Sequence, residues 1–200
     1  MRWRHYVALG DSISAGSGDN VAGIEALRWP DRLARTLRQL NPGLRYDNLA
    51  QHGHTAEDIL ARQYPEAEAL RPDLVSILCG GNDVLSPHWS PTQYRGALEK
   101  LFGAFKLQGA TVISFTLLNP ASVLPPRLAA RTCARLDQAH SVVRDLSEQY
   151  GCVCVDCWGL ASTHDPGIWS ADRKHPNALA HQLIAAEVAR CLHVTSNASL

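Results

Sequence analysis

The pattern that most restricts the fold is a series of short apolar runs separated by longer amphipathic segments. "HYVALG" (residues 5–10), "LVSILCG" (74–80), "TVISFTLL" (111–118) and "CVCVDC" (152–157) are dominated by Val, Ile, Leu and other apolar residues. Strands covered on both faces have this composition, whereas a strand with one wet face alternates apolar with polar. A fifth segment, "RYDNLA" (45–50), is more polar and fits a partly exposed strand.

Helical patterns fill the gaps. "RWPDRLARTLRQLN" sets Leu33, Leu37 and Leu40 on one face, with Pro30 suited to a first turn. "TAEDILARQYPEAEAL" follows the second strand segment. "SPTQYRGALEKLFGAFKLQG" offers Ser90 as N-cap, Pro91 at the first position and Gly109 at the exit. A long pattern spans about residues 126–150, and "NALAHQLIAAEVARCL" stripes Leu179, Leu183, Val188 and Leu192. Strand alternating with helix predicts a doubly wound α/β sheet. The chain of 200 residues suits one domain, expected over residues 1–194, with "TSNASL" (195–200) as a frayed tail.

Right-handed crossovers bring the C-terminal ends of parallel strands to one edge, and open sheets bind ligands there. That edge receives Gly10-Asp11-Ser12, Gln51-His52-Gly53-His54 and Gly80-Gly81-Asn82-Asp83. Taken alone, Ser12 reads as a turn residue before it reads as a nucleophile, because Gly, Asp and Ser build turns for conformational reasons. A nucleophilic serine needs a histidine base oriented by a carboxylate. "DRKHPN" supplies both, with Asp172 and His175 in one loop before the last helix. Acyl transfer also needs donors for the developing oxyanion. The backbone N–H of Ser12, that of Gly53 and the side-chain amide of Asn82 are the candidates.

With these residues in place the chain resembles the SGNH hydrolases, also called GDSL esterases and lipases. "GDSIS" is similar to the family's nucleophile block, with Ile13 in place of the Leu of the family's name. "NLAQHGHTA" contains Gly53 of the glycine block, "GGND" contains Asn82, and "DRKHPN" is the Asp-x-x-His block. The resemblance implies a flavodoxin-like three-layer α/β/α sandwich with a parallel sheet of about five strands. It also implies catalysis by Ser12, His175 and Asp172 through an acyl-enzyme, without metal or cofactor, and a structural role for Asp11.

Other residues stay open between two roles. His52 and His54 flank Gly53, either as solvated loop histidines or in contact with substrate. Trp89 and Trp169 suit a pocket wall or ordinary packing. The cysteines at 152, 154 and 157 alternate with valine, which fits core thiols better than a zinc site.

Two competing readings need a test. Asp11, Asn82, Asp83 and His175 are plausible ligands for a metal-dependent phosphoesterase. A non-catalytic binding module on the same fold is the other. The 19 basic and 19 acidic residues give zero formal net charge and no basic block, which argues against nucleic acid as partner. "MRWRHYVALGDS" is too short in its apolar part for a signal-peptide core, so the chain reads as cytoplasmic. No stretch suits stable membrane association. The expected partner is a small-molecule ester, and short loops favour a short-chain acyl or acetyl group.

Overall fold

A computed structural model of the chain describes residues 3–160 and 165–194. The expected tail, 195–200, lies outside the described residues. Five parallel strands form one sheet: β1 (His5–Gly10), β2 (Arg45–Asn48), β3 (Leu74–Leu78), β4 (Thr111–Thr116) and β5 (Val153–Asp156). Their order is β2-β1-β3-β4-β5, the flavodoxin-like order. The three inner strands are almost wholly buried, as their unbroken apolar composition requires. Both edge strands are more exposed.

Helices cover both faces. α1 (Ser12–Ala15) is a single turn after β1, and α2 (Trp29–Leu40) packs against the C-terminal α8 (Ala178–Cys191). On the other face α3 (Ala56–Asp58) packs against α6 (Pro91–Leu107), which packs on α7 (Pro126–Tyr150). α4 (Tyr64–Leu70) continues α3 through an intervening turn, and α5 (Gly81–Leu85) follows β3. Ser90 caps α6 by accepting from the Gln93 N–H, as expected. Trp29, Phe102, Phe105 and Phe115 are among the largest fully buried side chains.

Three local expectations need correction. The pattern over residues 55–70 is not one regular α-helix, because Ile59–Gln63 forms a π-helical turn between α3 and α4. Pro65 stands at the start of α4 and cannot donate a helical hydrogen bond. A widened turn before it removes that mismatch. The buried stripe of α8 runs through His181, Ile184, Ala185 and Val188, while Leu179 and Leu183 are only partly buried. Of the six free cysteines, Cys79 and Cys157 are core thiols, but Cys152 and Cys154 are half-buried because β5 is an edge strand.

Candidate active site

β1 delivers Ser12 to the carboxyl edge of the sheet. Its last residue, Gly10, has φ +152°, and a Cβ there would stand 2.4 Å from the Leu78 carbonyl oxygen of β3. Only glycine lets the two strand ends approach so closely. Asp11 then caps α1, its Oδ1 accepting from the Ile13 N–H at 2.9 Å. Ser12 becomes the first residue of that turn, where its own N–H has no intrahelical acceptor.

The histidine arrives from the other end of the chain. Asp172 Oδ1 accepts the N–H groups of Lys174 (2.9 Å) and His175 (3.0 Å), closing a tight turn. Asp172 Oδ2 lies 2.6 Å from His175 Nδ1, and His175 Nε2 lies 2.9 Å from Ser12 Oγ. A proton on Nδ1, directed at the carboxylate, leaves Nε2 as acceptor for the serine O–H. Burial tends to raise the Asp172 pKa. The His175 N–H and ring and the Lys174 N–H outweigh it and hold the carboxyl at about 2. Asp172 is therefore an anion at any working pH, and its charge faces the ring.

The loop is pinned to the nucleophile side by contacts that no local motif announces. Asp19 Oδ2 accepts the Ala171 N–H at 2.7 Å, and the Asp19 N–H donates to Ser170 Oγ at 2.8 Å. His181 is buried and bridges the same region. It accepts from the Trp29 N–H on Nδ1 and donates from Nε2 to the Ser17 carbonyl.

The three expected oxyanion donors come from neighbouring strand ends. Gly53 has φ +79°, a conformation that favours glycine, and nothing stands within 4 Å of a Cβ built on it. Asn82 lies in the first turn of α5 and donates through Nδ2 to the His54 carbonyl at 3.0 Å. That bond fixes the amide and uses one of its two hydrogens. Gln63, at the end of the π turn, joins these parts. Its Oε1 accepts from the Gly10 N–H (3.0 Å), and its Nε2 faces the Gly10 carbonyl (2.8 Å) and His54 Nδ1 (2.9 Å).

His54 is accordingly buried, with Nδ1 turned to Gln63, and it braces the Gly53 loop rather than standing open to substrate. His52 lies near Ser17, with Nδ1 3.0 Å from the hydroxyl. Trp89 is displaced from the site. Its indole N–H donates to Gln138 and its ring packs on Tyr94, in a pocket separate from the one beside Ser12. Trp169 does line the cleft beside Ser12, together with Ile13, Gly81 and Asp172. That cleft measures about 410 Å³. One of its walls, Leu117, is held by its N–H donating to His140 Nε2 at 2.9 Å. Burial pushes His140 down to about 4, which keeps that ring nitrogen an acceptor.

The side chains suggested as metal ligands all have protein partners. Asp11 caps α1, Asp83 accepts from the Ala56 N–H, Asn82 binds the His54 carbonyl and His175 sits between Ser12 and Asp172. Among the described residues no group of three or more His, Cys, Asp and Glu is placed to hold a metal ion. No described helix is long and apolar enough to cross a membrane.

Comparison with known proteins bears on the family and the fold. The GDSL-like Lipase/Acylhydrolase family matches residues 8–183. An acetylxylan esterase from Geobacillus stearothermophilus is 25% identical over 193 residues, covering 88% of both chains. The crystal structure of LAE5, an α/β hydrolase from the metagenome of Lake Arreo, Spain, superposes with TM-score 0.76 at 26% identity, covering 96% of this chain and 95% of that one. The crystal structure of TesA gives 0.75 at 25% identity, covering 94% of this chain and 98% of that one.

Proposed function

The chain belongs to the GDSL-like lipase/acylhydrolase family and is a carboxylic ester hydrolase, and we propose that it works as a metal-independent serine esterase through an acyl-enzyme on Ser12. The observation that carries the mechanism is the unbroken relay from Ser12 Oγ through the His175 ring to Asp172, at 2.9 and 2.6 Å.

Ser12 Oγ attacks the ester carbonyl as His175 Nε2 takes the hydroxyl proton. Negative charge moves to the carbonyl oxygen, where the N–H groups of Ser12 and Gly53 and the free hydrogen of the Asn82 amide stabilise it. The tetrahedral intermediate collapses, the alcohol leaves with the proton from Nε2, and the acyl group stays on Ser12. A water molecule then gives its proton to His175 and attacks the acyl-enzyme, returning the carboxylic acid and free Ser12. Asp172 fixes the tautomer and balances the imidazolium during both halves.

Similarity to the acetylxylan esterase supports the reaction class. A fluorophosphonate probe should add to Ser12, as read by peptide mass spectrometry, and Ser12→Ala should lose both labelling and ester turnover with an unchanged melting temperature. Turnover should also survive excess EDTA. Unlabelled Ser12, or activity lost to EDTA and restored by a divalent ion, would move the reading to the phosphoesterase.

A further inference from the structure

Resting on the serine-esterase reading, we propose that the cleft beside Ser12 is an acyl-chain site that selects a medium-length fatty acyl group, around eight carbons, over acetyl. The cleft borders the reacting centre, with Asp172 of the triad in its lining. Ile13 adjoins the nucleophile, Gly81 adjoins Asn82, and Asp172 to Lys174 bound it on the histidine side.

From there it runs between α5, the segment after β4 and the first half of α7. Its walls include Val84, Leu85, Leu117, Leu118, Leu128 and Leu136. Away from Thr132 and the histidine-side residues Asp172 to Lys174, this surface offers an acetylated sugar few hydrogen-bond partners and leaves apolar area in water around an acetyl methyl group. An alkyl chain removes that area from water. Leu85 is 45% exposed, one of three large hydrophobic residues so exposed among the described residues. All three end a helix (α2, α5 and α6), but of them Leu85 lies in the cleft wall, where a bound chain would cover it.

Size points the same way. At about 30 Å³ for a group the size of water or methylene, eight carbons take roughly 240 Å³. That fits within the 410 Å³ cleft with room at its open side, whereas acetyl leaves most of it empty.

The apolar side is assigned to the acyl group because the acyl group stays bound through both chemical steps while the alcohol must depart. A second depression, lined by Ala15, Arg28, Asn48, Ala50, Gln51 and His52, flanks α1 and is mostly polar. It is the natural exit for a hydrophilic alcohol or thiol. The sequence-based expectation of a short acyl group rested on loop length; the cleft is built from residues far apart in the chain and gives the opposite preference.

The test uses 4-nitrophenyl esters from acetate to laurate, each below its micellar concentration. kcat/KM should rise roughly threefold to fourfold per added methylene over the first steps, then level off near octanoate. The octanoate-to-acetate ratio should exceed about tenfold. In a parallel series of alkyl acetates, lengthening the alcohol should change the rate little. Leu128→Trp, on a half-buried position of α7, should reduce the octanoate-to-acetate ratio at least about tenfold.

An optimum at acetate overturns the proposal, as does a rate that follows the alcohol chain instead. A folded Leu128→Trp protein with an unchanged ratio overturns it too; if that variant does not fold, the wild-type series decides alone. Failure of the underlying reading looks different: no ester in either series is turned over and fluorophosphonate leaves Ser12 unlabelled.

Discussion

Two buried carboxyl groups under the catalytic edge make the molecule's stability depend on pH. Burial pushes Asp11 up to about 7 from its ordinary 3.8, with the Ile13 N–H opposing and the charge of Asp83 adding to the rise. Burial likewise pushes Asp83 up to about 6, against the Ala56 N–H. The native state therefore keeps protons that the unfolded chain releases between about pH 4 and 7. Linkage then makes folding stability full below the ordinary carboxyl pKa and lowers it as pH rises through the native values. Asp172 has the opposite sign, since its depressed pKa stabilises above pH 4 and is lost only as pH falls toward 2. Asp11→Asn keeps an acceptor for the Ile13 N–H and removes the titration. Melting temperatures measured from pH 4 to 8 should fall with pH in the wild type and fall less in Asp11→Asn. Parallel curves for the two proteins would mean that Asp11 is ionised throughout.

At the scale of elements, the π turn matters because it ends at Gln63, whose amide occupies both polar groups of Gly10 and the ring of His54. Through Gly10 it reaches the nucleophile, and through His54 it reaches the carbonyl that holds Asn82. Gln63→Leu leaves the buried Gly10 N–H and His54 Nδ1 without this partner, while the Gly10 carbonyl keeps the Gln51 N–H. Such losses cost about 1–3 kcal/mol, which lowers the melting temperature by roughly 3–10 °C in a chain of this size. A purely structural role would stop there. A positioning role predicts in addition a fall in kcat larger than any change in KM, because the oxyanion donors shift while ground-state binding persists. The strands, the N-cap of α6 and the blocks around Ser12, Gly53, Asn82, Asp172 and His175 were legible because their chemistry is carried by adjacent residues. Gln63 was not, since nothing near position 63 shows that its amide meets a strand 53 residues earlier. The sequence leaves Trp89 open between two roles for the same reason: although it lies soon after Asn82, it packs on α7 and Tyr94. The acyl cleft was hidden because its walls come from elements spread between Ile13 and Lys174.

The whole molecule must bring its two ends together before it has a catalytic centre, because Ser12 and His175 are 163 residues apart. The sheet order does the coarse work by placing β1 between β2 and β3 and sending α8 back across the face that α2 covers. The fine work falls to short links between the segment after α1 and the histidine loop. Asp19 is the most connected of them, with its carboxylate on the Ala171 N–H, its N–H on Ser170 Oγ and its carbonyl on the Ala178 N–H. Only the carboxylate bond is lost in Asp19→Ala, and the side chain is exposed, so the fold should tolerate the change. Catalysis should not, because misplacing a reacting group by about 1 Å can cost on the order of a hundredfold. An intermediate loss, around tenfold in kcat, is expected for a loop still held by its remaining bonds. KM should move less, and the melting temperature should stay close to that of the wild type. Asp19→Asn restores an oxygen acceptor for the Ala171 N–H and should recover most of the rate. Equal kcat in all three proteins would show that the sheet and α8 alone hold His175 in register with Ser12.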